Sequence, residues 1–176
     1  MKKIFLLIVL ISTAFVLNAQ GTKNSDALGY ATSGQDKIDQ EDYKGAIKEF
    51  NEALKIDNKF AEAYFGRGYA RLKRKDWKGS KSDFTKAIIY KPIYPEAFFN
   101  RGYARFKLKD FVGEIADYSK AIEQRPDYSE AYYNRGNAKY KMGNITGACY
   151  DWYKASELNF TKADEEIKRN CKNYKK

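Results

Sequence analysis

The sequence predicts an all-α protein in which four helix–turn–helix units stack into a solenoid. Two observations carry this prediction. A sixteen-residue stretch, EAYFGRGYARLKRKDW, starts at Glu62 and returns as EAFFNRGYARFKLKDF from Glu96 and EAYYNRGNAKYKMGNI from Glu130. The starts are 34 residues apart, and the first two copies agree at eleven of sixteen positions. A fixed period of this size is typical of stacked repeats, and no segment shows strand-like alternation.

Counting the weaker copy that begins at Leu28, the repeat divides the chain into four windows, 27–60, 61–94, 95–128 and 129–162. Each window is predicted to hold two helices, the first about 14 residues long, as in Ala61–Arg74. An Asp or Asn whose side chain can accept bonds from free amides is expected to cap each second helix. Pro92 and Pro126 follow second helices that they cannot continue, and Pro95 suits a first turn. The predicted caps are Asp42, Asp76, Asp110 and Asn144.

The first 26 residues are predicted to lie outside the solenoid. Lys2 and Lys3 precede an apolar run of fourteen residues, which is shorter than the roughly 20 that span a bilayer. We therefore predict a signal peptide over 1–19, a retained anchor being the alternative, and an exported, periplasmic or secreted protein. Residues 20–26 are expected to be a disordered lead-in. After signal removal, no later segment is apolar enough to span a membrane.

The repeated residues resemble the tetratricopeptide repeat family across 27–162. The resemblance implies a right-handed α-α superhelix that serves as an interaction scaffold rather than an enzyme. The chain departs from the family pattern in two ways. Glu114 replaces a small residue, and an arginine replaces the apolar residue that usually precedes the glycine. The matching positions are Tyr30, Gly34, Ala46, Phe50 and Ala53; Tyr64, Gly68, Ser80, Phe84, Ala87 and Pro92; Phe98, Gly102, Tyr118, Ala121 and Pro126; Tyr132, Gly136, Ala148, Trp152 and Ala155.

The arginines share a helical face with alanines, and aspartates of the second helices sit between small residues. Because a lone buried charge is costly, we expect these arginines and acids to pair where helices meet. Window 1 has Ser33 and Glu49 at the equivalent positions, so pairing within a window would leave Glu49 without an arginine. We therefore favour pairing with the preceding window, namely Arg67 with Glu49, Arg101 with Asp83 and Arg135 with Asp117.

A second stripe on each first helix is the candidate partner-binding groove. Resemblance to the family implies that this stripe lines a concave groove where peptides dock. The stripe is rich in rings and lies between a glutamate rim (Glu62, Glu96, Glu130) and a lysine rim. The alternative is that the rings pack neighbouring helices, which is favoured for Leu72 and Phe106. In window 1 the stripe is Ala31, Gln35 and Ile38. The predicted groove residues are Phe65, Tyr69, Lys73, Phe99, Tyr103, Lys107, Tyr133, Asn137 and Tyr140, with Lys141 completing the lysine rim.

The resemblance also implies a possible specialisation, because some members of the family bind a C-terminal carboxylate with a clamp of Lys, Asn and Arg side chains. Of the residues at those places, Phe65, Tyr69, Asn100, Glu130 and Asn134, only Asn100 fits, which argues against such a clamp here.

Composition narrows the function further. The chain has no histidine, so the commonest general base and metal ligand is missing, and we predict no catalysis, no metal and no cofactor. The net charge of +10 falls to +8 when Lys2 and Lys3 leave with the signal, which favours acidic protein partners or anionic envelope polymers. Nucleic acid is not expected in an exported protein. The predicted function is protein or peptide binding, and the alternative is binding of a glycan or anionic envelope polymer in the same groove.

Residues 163–176 are predicted to form a capping helix with a polar outer face. Cys149 and Cys171 are the two cysteines, and in an exported chain an even pair suggests a disulfide that ties this cap to window 4. The alternative is two unlinked thiols.

Overall fold

The structure is a computed structural model that describes residues 25–172 and 174. Helices and short turns make up this part of the chain, and it contains no β-strand. The predicted signal peptide, 1–19, lies outside the described residues, as does most of the predicted lead-in. Residues 25 and 26 are already helical, so the lead-in prediction is wrong for these two positions.

The helices alternate between a first and a second helix in each window. Helix α1 covers residues 25–39 of the described chain, and a ninth helix follows window 4. The others are α2 Tyr43–Ile56, α3 Ala61–Lys73, α4 Trp77–Tyr90, α5 Pro95–Lys107, α6 Phe111–Gln124, α7 Ser129–Lys141, α8 Ile145–Glu157 and α9 Lys162–Asn170.

The turn inside each window is built in the same way four times. The predicted cap side chains accept a hydrogen bond from the glycine amide three residues later, at 2.8–3.0 Å, as between Asp76 and Gly79. The residue before each cap has a positive φ, which lets the chain reverse within three residues. These residues are Glu41, Lys75, Lys109 and Gly143. The predicted cap positions are confirmed.

A ring pressed against a glycine holds the two helices of each window together. Phe84 of α4 is fully buried, and a Cβ on Gly68 of α3 would lie 3.0 Å from its ring. The other windows repeat the pair with Phe50 and Gly34, Tyr118 and Gly102, and Trp152 and Gly136. Since only glycine leaves room for the ring, this spacing brings the paired helices close along the whole stack.

Successive helices from α2 to α9 pack against one another, and α3 also contacts α5. The first helices therefore form one layer and the second helices another, which makes the described chain an all-α repeat superhelix. Among the described residues, no helix combines the length and the apolar character needed to cross a bilayer.

The last helix, α9, closes the stack on window 4. Its Ala163 is buried in the same cluster as Trp152 and Ala155. The helix ends at Asn170, which is earlier than the predicted range of 163–176. Cys149 of α8 and Cys171 form a disulfide with Cα atoms 5.7 Å apart, so the end of the cap is joined covalently to window 4.

Candidate partner-binding groove

Two adjoining cavities lie on the layer of first helices near the N-terminal end of the stack. One, of about 550 Å³, is lined by α1 and α3 together with Phe50, Phe60 and Tyr94. The other, of about 280 Å³, is lined by residues of α1, α3 and α5. The two cavities share Gln35, Phe65 and Gly66. We call this continuous depression the groove; its remaining lining includes Ile38, Asp39, Tyr69, Glu96 and Asn100.

In windows 2 to 4, the first ring of the predicted stripe packs against the aromatic residue that follows the second helix. Phe65 stacks on Tyr94 with ring centroids 4.8 Å apart, and Phe99 stacks on Tyr128 at the same distance. Tyr133 packs on Phe160 at 5.0 Å. Phe65 also lines both cavities of the groove, whereas neither Phe99 nor Tyr133 lines them. Phe65 is therefore the one of these three rings that the groove presents to a ligand.

The middle rings lie next to the lysine rim. Tyr69 is partly exposed, and the Lys73 ammonium lies 5.2 Å from its ring centroid. Tyr103 packs edge-on against Trp77, and Lys107 lies 5.1 Å from its ring centroid. Hydrogen bonding to Tyr69 is the largest contribution that raises the pKa of Lys73. These contacts hold charged ammonium groups over rings at the edge of the stack.

Two of the three predicted stripe residues of window 4, Asn137 and Tyr140, contact buried Trp152. Asn137 accepts a hydrogen bond of 3.0 Å from the indole N–H of buried Trp152. Tyr140 packs on the same indole with centroids 5.6 Å apart, although its side chain stays 41% exposed. Asn137 is thus the hydrogen-bond acceptor for a buried donor, and neither Asn137 nor Tyr140 lines the groove.

The two predicted rims of the first-helix stripe differ in charge. Glu62 pairs with Lys91 at 2.7 Å, and Glu96 pairs with Arg125, so the glutamate rim is largely neutralised within the chain. Lys73, Lys107 and Lys141 form no ion pair in the described part of the chain. The lysine rim is therefore the rim with charge available to a partner.

The arginines pair within their own window, and the predicted pairing with the preceding window is wrong. Each arginine donates two hydrogen bonds to the acid sixteen residues later, and these acids are at most 3% exposed. Arg67 therefore binds Asp83 and not Glu49, Arg101 binds Asp117 and not Asp83, and Arg135 binds Asp151 and not Asp117.

The ring–glycine contact explains this choice. Packing Phe84 on Gly68 places Asp83 beside Arg67, because both pairs are neighbours in sequence. Arg67 does reach the preceding window, but through its third nitrogen, which donates to the neutral Asn51. Glu49 does not lack a cation within its own window, because Lys37, one turn after Ser33, approaches it at 4.0 Å. The same position holds Arg71, Arg105 and Lys139 in later windows, and each of these contacts its window's aspartate.

Glu114 is the one buried acid without an ion pair in the described chain. Its side chain replaces the small residue found in the other windows, such as Ser80, and its Oε2 has no hydrogen-bond partner. Burial raises the pKa of Glu114 to about 7, while nearby Lys141 lowers it and Asp110 raises it. This carboxyl is therefore partly protonated at neutral pH.

Sequence reasoning missed several groove residues, namely Phe50, Phe60, Tyr94 and Asp39. Phe60, Tyr94 and Tyr128 are spaced by 34 residues in the loops between windows, and this spacing could have shown that the loops supply rings to the first helices. Across the described ranges, no cluster of three His, Cys, Asp or Glu side chains is placed to hold a metal ion.

Comparison with known proteins agrees with this architecture. The TPR repeat family matches residues 34–75 and 115–143. Among curated proteins, none matches the chain. The repeat spacing, the ring–glycine pairs and the family match together define a helical repeat protein. The matched residues are those of tetratricopeptide repeats, which supports the tetratricopeptide repeat family.

Solved structures of similar fold span most of the chain. A crystal structure of MamA protein shares 23% identity at a TM-score of 0.76, covering 81% of this chain and 79% of that one. The first TPR of Spaghetti (RPAP3) bound to an HSP90 peptide shares 23% identity at a TM-score of 0.67, covering 68% of this chain and 95% of that one. The Arabidopsis OM64 TPR domain shares 21% identity at 0.66, covering 68% and 98%. At these identities the likeness shows the fold alone.

Proposed function

We propose that this protein is a non-catalytic scaffold that binds a segment of a partner protein in the groove. The observation that carries the proposal is the pair of adjoining cavities that three successive first helices line around Phe65. An apolar floor with polar edges is typical of a peptide-docking surface. The Spaghetti (RPAP3) structure holds an HSP90 peptide, which supports peptide binding as a use of this fold.

The lysine rim suggests where acidic residues of the segment would bind. Lys73 and Lys107 are exposed and already held over rings, so their ammonium groups lose little freedom when they contact a carboxylate. Of the residues that a carboxylate clamp would use, Asn100 alone is suitable and lines the groove. The segment therefore docks along its length rather than by a clamped C-terminus.

A glycan or anionic polymer is the second candidate. The observation that favours it is the cluster of Trp77, Tyr103 and Phe106 beside Lys107, since rings next to cations suit sugar stacking and acidic polymers. The floor around Phe65 is continuous instead of a set of separate ring platforms, and this favours the protein segment.

We propose that the protein acts after export. The predicted signal peptide and the disulfide between Cys149 and Cys171 support this, because disulfides persist mainly in oxidising compartments.

The test is an affinity capture from native extract with the unaltered protein and a Tyr69→Ala/Tyr103→Ala variant. Tyr69 lines the groove, Tyr103 lies beside the lysine rim, and both rings are partly exposed. Phe99 is packed between two other rings, so its substitution would alter folding as well as binding. The matched control is Ile89→Ala/Tyr150→Ala, which removes two exposed side chains from second helices. Intact helicity is checked for both variants.

We expect a partner protein that the groove variant loses and the control variant retains. If the groove variant still captures the same partner protein, the partner does not dock in the groove. If the unaltered protein captures no protein but retains labelled acidic glycan on a column, and the groove variant does not, the second candidate replaces the first.

A further inference from the structure

A cluster of three rings recurs in windows 2 and 3. In window 2, Phe65 of the first helix packs between Phe84 of the second helix, at 5.6 Å, and Tyr94 of the following loop, at 4.8 Å. In window 3, Phe99 packs between Tyr118, at 5.5 Å, and Tyr128, at 4.8 Å. The first-helix ring is the middle member each time.

Window 1 has the outer two rings without the middle one. Phe50 and Phe60 lie 34 residues before Phe84 and Tyr94, but the position between them is Ala31. All three residues line the larger cavity of the groove, of about 550 Å³. A cavity of roughly 150 Å³ is enough to bind benzene, so this one has room for an aromatic side chain. We call it the window 1 pocket.

The charge around the window 1 pocket is negative. Asp36 and Glu62 belong to its lining, which contains no Lys or Arg. Glu62 is neutralised by Lys91, but the exposed Asp36 carboxylate forms no ion pair among the described residues. In the adjoining cavity, Asp39 stands where the later windows have a rim lysine, such as Lys73. This end of a basic protein therefore favours a cationic neighbour for whatever side chain enters the pocket.

We propose that the window 1 pocket receives an aromatic side chain of the bound segment, with an adjacent Arg or Lys of that segment contacting Asp36. The guest ring takes the place between Phe50 and Phe60 that Phe65 and Phe99 take in the next windows. This inference rests on the proposed function and adds the anchor residue of the ligand and its neighbouring charge.

The test is an NMR titration of the full chain with the capped dipeptide N-acetyl-phenylalanyl-arginine amide. We expect saturable shifts confined to amides of α1, the α2–α3 loop and the start of α3, with a dissociation constant on the order of millimolar. The dipeptide with alanine in place of phenylalanine should not saturate. The dipeptide with glutamate in place of arginine should bind several-fold more weakly.

Two variants locate the site. Ala31→Phe supplies the missing ring from the chain itself and should weaken binding at least tenfold. Asp36→Asn should remove the preference for arginine over glutamate, whereas the matched control Asp127→Asn, an exposed residue after α6, should keep it. If Ala31→Phe does not fold, the alanine dipeptide tests the same point on the unaltered protein.

Equal binding of the phenylalanine and alanine dipeptides, or shifts away from these elements, would overturn the anchor pocket. The proposal that a segment binds in the groove would still hold if the Tyr69→Ala/Tyr103→Ala variant fails to capture the partner. A third result is saturable dipeptide binding in the pocket together with a Tyr69→Ala/Tyr103→Ala variant that still captures the partner. That result would support the pocket and reject the rest of the groove.

Discussion

Arg101 donates two hydrogen bonds to Asp117, 2.9 Å from Nε and 2.6 Å from Nη2, and the Asp117 side chain is 3% exposed. The pair joins the two helices of one window. The remaining nitrogen, Nη1, donates to Thr85 in the preceding window at 3.3 Å. One side chain therefore links three helices, and equivalent links recur at Arg67 and Arg135.

Breaking this pair should be strongly destabilising. Asp117→Asn leaves Arg101 and Arg105 without their shared acid, and removal of one partner from a buried pair typically costs about 3–5 kcal/mol. We expect a loss of this size in urea unfolding. A double-mutant cycle with Arg101→Met and Asp117→Asn should show strong coupling, and the cycle with Asp83→Asn should show little.

Coupling of Arg101 to Asp83 as strong as that to Asp117 would contradict the observed pairing. Glu123→Gln is the control for loss of a surface acid, since its pair with Lys120 is largely exposed and should contribute only about 0–1 kcal/mol.

Glu114 should make stability depend on pH. Its pKa is about 7 in the folded chain against 4.5 for the free side chain, so the folded state keeps a proton that the unfolded state loses. Stability should therefore fall as pH rises from about 4.5 to 7 and then level off, by up to roughly 3 kcal/mol. Glu114→Gln cannot ionise and should remove this part of the slope.

The measurement is the free energy of unfolding at pH 5 and pH 8 for the unaltered chain, Glu114→Gln and the exposed control Glu123→Gln. The difference between Glu114→Gln and the unaltered chain should shift in favour of the variant at pH 8. Parallel pH profiles for all three proteins would show that Glu114 ionises normally.

Gly66 should not tolerate a methyl group. A Cβ there would lie 2.2 Å from Cζ of Phe50, which is buried between α1 and α3. We expect Gly66→Ala to destabilise by about 1–3 kcal/mol, as overpacking typically does. Gly29→Ala is the matched control, because a Cβ there meets nothing within 4 Å and alanine favours a helix. Urea midpoints that move in the same direction for both variants would contradict the packing of Phe50.

The disulfide should hold the cap on window 4. Unreduced protein should show no free thiol, and Cys149→Ser/Cys171→Ser should lose about 3 kcal/mol of stability, the value expected for a loop of this length. Hydrogen exchange should rise first in α9, where the covalent link is lost. Two free thiols in unreduced native protein would contradict the bond.

The 34-residue spacing was enough to predict the helices, because helix breaks and caps depend on local chemistry. Asp76 caps α4 with its own side chain, and Pro95 stands at the start of α5, so neighbouring residues specify both boundaries. Of the groove residues that the same spacing predicted, Phe65 and Tyr69 line the cavities. The spacing could not show that Asn137 binds Trp152, since that contact depends on the rotation of α7 against α8.

The arginine partners and the window 1 pocket show where local chemistry stops being sufficient. From the sequence, Arg101 had two acids at plausible positions, and the choice between Asp83 and Asp117 depended on which helices approach most closely. Packing of Tyr118 on Gly102 sets that approach. Because Asp117 precedes Tyr118 and Arg101 precedes Gly102, the same contact places Asp117 beside Arg101. Ala31 was visible in the sequence as a gap in a stripe of rings. That the gap is a cavity between Phe50 and Phe60 follows only once α1, α2 and the loop before α3 are assembled, because the volume between side chains is a property of their packing.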